Sequence, residues 1–204
     1  MRRWVLAIAM CGAAGVTFAG EAKSEPVQSA CFPARIGDLE AFSFSKEDHD
    51  ALHRDRLGKI FGYNARPYRT ALTVYLMDKS RSASVETEFR GAETEIVAAH
   101  PGMEIVTRNF AQIVLAGHPA PGQLGLYRWT KENEDVGSVL WIGESPSRIV
   151  KIRLSFVAPK PADQAAAAMQ YAMNAVGDAA KHICEPVSSD VDDAFGKPSP
   201  SKAS

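Results

Sequence analysis

Asp48, His49, Asp50 and His53 are the set best suited to hold a metal ion, because His49 and His53 stand at i and i+4 and would share one face if the segment were helical. The glutamate that follows the first histidine in a zinc-peptidase motif is absent, and a solvated polar surface accounts for the same residues. Gly143-Glu144-Ser145-Pro146-Ser147 begins like a nucleophile elbow. It lacks the second glycine, and Pro146 removes the N–H that an oxyanion hole needs after the serine, so it reads as a hairpin turn. His100 and His118 each precede a proline, which fits turn chemistry better than a catalytic base. No glycine-rich phosphate loop occurs. Asp190-Val191-Asp192-Asp193 fails as a calcium loop because Phe195 occupies the position where glycine must turn the chain.

Aromatic residues gather near the ends of apolar segments: Phe61, Tyr63, Tyr68, Tyr75, Tyr127, Trp129 and Trp141. Most are expected to be core or cross-strand pairs. Tyr127 and Trp129 fall on one face of an extended segment with Arg128 on the other, which makes them the candidate ligand-binding or partner-binding pair. Charge adds little direction. The 23 Lys plus Arg balance 24 Asp plus Glu to a net −1, and the basic residues are dispersed among acids, so neither a nucleic-acid groove nor an anionic membrane surface is implied. No cofactor is implied either.

The first nineteen residues carry the pattern of an export signal. Arg2 and Arg3 precede an apolar run from Trp4 to Phe18, and Ala19 offers a small residue for cleavage. The run is too short and too rich in glycine for a span, which needs roughly 20 apolar residues. A lipoprotein reading with Cys11 is disfavoured by bulky Met10 before it. Cleavage would remove Arg2 and Arg3, taking the net charge from −1 to −3. It would leave Cys31 and Cys184, which in an oxidising compartment are expected to form a structural disulfide. No later segment is apolar enough to span a bilayer, so a soluble periplasmic or secreted chain is expected.

The elements that must position these residues lie between two polar ends. Residues 20–30 read as a flexible linker and residues 185–204 as a disordered tail, leaving 31–184 as a single domain. Alternation predicts strands over Leu57–Ala65 and Thr70–Met77, then Glu104–Ala116, Leu124–Lys131, Gly137–Gly143 and Arg148–Val157, with Gly37–Ser45 as a further edge strand. His118-Pro119-Ala120-Pro121-Gly122 reads as a turn between two of them. Val150, Ile152, Leu154 and Phe156 alternate with Lys151, Arg153 and Ser155, as in a strand with one wet side. Val85, Phe89, Ala92, Ile96 and Ala99 mark one helix, with Ser82 or Ser84 to cap it and His100-Pro101-Gly102 to stop it. Met169, Met173, Val176, Ala180 and Ile183 mark a second, from about Asp163 to Ile183. Ser45–Arg56 suits either a short helix or a polar loop. Short connections between successive strands require antiparallel pairing. The expected class is therefore α+β, an antiparallel sheet of about six to seven strands with two packed helices.

Gly62-Tyr63-Asn64, followed by Thr73-Val74-Tyr75-Leu76 and then the Val85–Ala99 helix, gives an order of elements that resembles the PsbP-like α+β proteins and related exported bacterial proteins of unassigned function. The resemblance implies a small accessory or binding module and transfers no catalytic site. With an export signal and no convergent catalytic set, the expectation is a non-catalytic envelope domain. It would bind an unknown protein or envelope component through a sheet face or strand edge. The alternative is a secreted hydrolase or metal-dependent enzyme using the Asp48–His53 segment.

Overall fold

The computed structural model describes residues 32–43, 58–80 and 82–184. Eight strands form one sheet: β1 (Arg35–Ile36), β2 (Leu39–Phe42), β3 (Lys59–Ala65), β4 (Thr70–Asp78), β5 (Glu104–Leu115), β6 (His118–Lys131), β7 (Glu134–Glu144) and β8 (Arg148–Ala158). Among the described residues two α-helices accompany it, α1 (Val85–Ala99) between β4 and β5, and α2 (Ala162–Lys181) after β8. The sheet runs β1-β2-β3-β4-β8-β7-β6-β5, with every neighbouring pair antiparallel. The α+β class with two helices holds, and the strand count exceeds the expected six to seven. The extra strand arises because Arg35–Phe42 is a small hairpin, turning at Gly37 and Asp38, where one edge strand was expected.

His118–Gly122 also departs from expectation, being the start of β6 and not a turn. Pairing of β6 with β7 begins only at Gly122 and Gly143, so the segment carrying Pro119 and Pro121 is paired with β5 alone. Proline is tolerated on a strand whose N–H side has no partner. The chain reverses instead at Ala116-Gly117, where φ of 49° and 85° gives the two-residue hairpin turn whose twist matches the strands it joins.

The helices lie on opposite faces. Phe89, Ala92 and Ile96 of α1 pack against Met77, Leu140, Ile142 and Ile149, and the α2 face holds Leu72, Val74, Val139, Trp141, Ile152 and Leu154. Ser84 caps α1, its hydroxyl accepting from the Thr87 N–H at 3.3 Å, and the His100 N–H closes the last turn on the Ile96 carbonyl. The stripe that buries α2 is Ala168, Ala172, Ala175, Val176, Ala179 and Ala180. Met169 and Met173 sit only at its margin. Small side chains let this helix approach the sheet closely, which the larger methionines would prevent. With a helix on each face, the expected wet side of β8 is partly roofed: Lys151 is only 9% exposed.

Candidate functional site

Two features lie on the α1 side of the sheet: a polar seam beneath the helix and the open edge made by β5.

The seam is built by residues at alternate positions of adjacent strands. Register places Tyr75 of β4 opposite Lys151 of β8, and Ser138 of β7 opposite both Tyr127 of β6 and Ser155 of β8. Lys151 Nζ lies 4.7 Å from the Tyr75 ring centroid and 3.7 Å from Glu95 Oε2 on α1. That gives the ammonium a cation–π contact and an opposite charge in place of water. Burial lowers its pKa and raises that of Tyr75, since both charged forms are costly in a poorly solvated environment. Arg153 sits nearby and is likewise lowered by burial, with Tyr75, Glu95 and Tyr127 opposing the shift.

The aromatic pair singled out from sequence is part of this seam. Tyr127 is fully buried, and its hydroxyl donates to Glu93 Oε1 at 3.0 Å. Its pKa is pushed up by burial and by the Glu93 charge. Trp129 is 9% exposed and stacks on His100 with centroids 4.0 Å apart and an interplanar angle of 15°. Trp129 Nε1 and His100 Nε2 are both buried without a hydrogen-bond partner among the described residues. Burial, with Arg153 and Lys131 nearby, lowers the His100 pKa. The pair therefore packs under α1, away from the surface.

The edge is different. Among the described residues β5 pairs only with β6, and no described strand lies along the other side of its 12 residues. Phe110 is 87% exposed, Val106 50% and Val114 45%, with Ile105 also exposed. Its two charges are already engaged: Arg108 donates to both carboxylate oxygens of Glu93 at 2.8 and 2.7 Å, and Glu104 pairs with Arg128 at 2.5 Å. The opposite edge, β1, has only two residues and is flanked by the Arg35–Glu40 pair. Short, charged edges resist strand addition, and long apolar ones invite it. A groove of about 600 Å³ lies between α1 and this edge, with Phe89, Leu124 and Phe110 among its lining and Arg90 and Arg108 at its rim paired to Glu86 and Glu93.

The remaining sequence candidates are not brought to either place. His49, His53 and Cys31 lie outside the described residues, and Cys184 stands just beyond α2 at the end of the last described stretch. Among the described residues no group of three or more His, Cys, Asp or Glu is arranged to hold a metal ion, and no helix is long and apolar enough to cross a membrane. Sequence reasoning missed Lys151, Arg153, Glu93 and Glu95 as a set, because they come from one strand and one helix that are distant in the chain. It also missed the exposure of β5. The signal was present in Ile105, Val106, Phe110, Ile113 and Val114, which put apolar groups on both faces of one strand.

The fold and site define an antiparallel α+β domain with a helix on each face and one open apolar edge. No family model matches the chain, and no curated protein does. Among solved structures it is similar to PA94 of Pseudomonas aeruginosa, a protein of unknown function, with 19% identity over 67% of this chain and 94% of that one, at a TM-score of 0.36. It is also similar to LpqN of Mycobacterium tuberculosis, involved in cell envelope biogenesis, with 13% identity over 74% of this chain and 79% of that one, at a TM-score of 0.40. At these TM-scores neither likeness carries an argument, and the PsbP-like resemblance is not among the findings.

Proposed function

We propose that this chain is an exported, non-catalytic binding domain of the bacterial envelope that works by protein association at the β5 edge. The observation that carries the reading is the row of exposed Val106, Phe110 and Val114 on a strand with one side unpaired among the described residues. An added strand would gain main-chain hydrogen bonds from that edge, with side chains supplying selectivity. Burying one large apolar side chain such as Phe110 adds about 1.5–3 kcal/mol. The amino-terminal charge and apolar pattern supports export. A Cys31–Cys184 disulfide suits an oxidising compartment, and its support is positional: Phe32 and Ile183, the immediate chain neighbours of the two cysteines, are buried in the same hydrophobic cluster.

The test is a photo-crosslinking amino acid placed at Phe110 in living cells, with Lys181 on the exposed side of α2 as control. A discrete crosslinked product from position 110 and none from 181 is expected. Equal labelling from both positions, or none from either, overturns the reading.

A further inference from the structure

Resting on the β5-edge reading, we propose that the occupant of the edge is a second copy of this chain, paired β5 to β5 about a two-fold axis through Phe110.

The argument comes from the order of side chains along the strand. Two copies of one strand can pair antiparallel only about a two-fold axis, so the centre of pairing decides every opposing pair. Centred on Phe110, the strand sets Phe110 against its own copy and Val106 against Val114. Arg108 falls opposite Gln112, Asn109 opposite Ala111, and Thr107 opposite Ile113. All three strongly exposed apolar residues then meet apolar partners, and no like charges face each other. Moving the centre to Asn109 puts Phe110 against Arg108 and Glu104 against Val114. Moving it to Ala111 puts Phe110 against Gln112 and Arg108 against Val114. A centre at Gln112 sets Phe110 against Val114 but leaves Val106 beyond the strand end, so Phe110 is the one centre that gives all three exposed residues an apolar partner within β5.

The local geometry agrees with this centre. β5 is regular against β6 from Thr107 to Leu115, and its register shift between Ile105 and Thr107 falls at Val106, so the regular part of the proposed pairing is the stretch from Thr107 to Ile113 centred on Phe110 and the Val106–Val114 pairs lie at its margins. Arg108 is drawn back to Glu93 on α1, which keeps its charge from opposing the approaching strand. Arg108, Phe110, Gln112 and Val114 share the α1 face of the sheet by alternation. The mate's Phe110 would thus lie beside the groove that already includes Phe89 and Leu124. The two sheets would become one, and both open β5 edges would be lost together.

The experiment uses the exported protein from residue 20 onward. Light scattering coupled to size exclusion should give twice the chain mass, and Phe110→Lys should give the chain mass with an unchanged far-ultraviolet spectrum. Register is read by cysteine pairing under oxidised glutathione, with the new bond mapped by mass spectrometry. Phe110→Cys should link to itself, since directly opposed residues meet disulfide geometry. Gln112→Cys should not, as it would lie roughly 13 Å along the ribbon from its own copy, but it should link when mixed with Arg108→Cys. A chain mass at every concentration, or Gln112→Cys linking to itself as readily as Phe110→Cys, overturns the proposal. If the chain is monomeric while photo-crosslinking at position 110 yields a product of another mass, the self-pairing fails and the edge reading stands. If both are blank, both fail.

Discussion

Tyr127 and Glu93 meet across the interface between α1 and the sheet, the phenol donating to Glu93 Oε1 at 3.0 Å while the same carboxylate holds Arg108 through two N–H bonds. One carboxylate thus fastens the helix to β6 and to the edge strand β5 at once.

Tyr127→Phe removes one hydrogen bond and leaves Glu93 on Arg108, so it should cost about 1 kcal/mol. Glu93→Ala leaves a buried phenol without an acceptor and releases Arg108, and should cost about 2 kcal/mol. The double variant should cost clearly less than the two losses together, because both act on one contact. Urea unfolding midpoints, with unchanged slopes, measure this. Strict additivity would mean that the hydroxyl and the carboxylate act independently.

Gly125 is two residues before Tyr127 on β6, and a Cβ there would collide with the Tyr127 ring and hydroxyl. The missing side chain is what lets the phenol lie back along its own strand toward Glu93. Gly125→Ala should destabilise by about 2 kcal/mol through overpacking. Combining it with Tyr127→Ala should recover part of the loss, since the obstructing ring is then gone. Thermal unfolding of the three variants gives the comparison.

His100 and Tyr63 set opposite pH dependences. The folded pKa of His100 lies below its ordinary 6.5, so its contribution is present above that pH and is lost as pH falls toward the folded value. His100→Phe, which keeps a ring against Trp129, should flatten the loss of stability between neutral and mildly acidic pH. The Tyr63 hydroxyl donates to the Pro33 carbonyl at 3.1 Å, and burial pushes its pKa up to about 12. Its contribution is present below the ordinary 10.0 and is lost as pH rises toward 12. Tyr63→Phe should flatten that alkaline limb. Denaturant midpoints across pH would refute either assignment if the variant kept the parent slope.

Cys184→Ser should lower stability by roughly 3–5 kcal/mol if the proposed link to Cys31 closes the long loop of the domain, the figure given by chain entropy. A thiol assay on unreduced, denatured protein should find no reactive sulfhydryl in the mature parent chain. Two reactive sulfhydryls would remove the disulfide from the account.

Much of the fold was legible because its signals are local. Val150, Ile152, Leu154 and Phe156 advertised a buried strand face through alternation, and they are buried. Ser82 or Ser84 and the His100-Pro101-Gly102 stop marked the ends of α1 within the residues themselves, and Ser84 is the cap. The alanines of α2 were less visible, since apolar periodicity weights the large Met169 and Met173, whereas a closely packed interface selects small residues. The prolines at 119 and 121 misled for a related reason: proline is excluded from a strand only where its missing N–H would have had a partner. That depends on where β7 ends.

Read alone, the sequence determined the antiparallel character of the sheet, the two helices seen among the described residues and most strand positions, because short connections and two-residue or 3.6-residue periods act over a few neighbours. Which face each helix covers was decided only in three dimensions. So were the roofing of Lys151, the burial of Tyr127 and Trp129, and the position of β5 as an open edge. Each depends on which distant segments meet, and periodicity records that a face is apolar without recording what will lie against it.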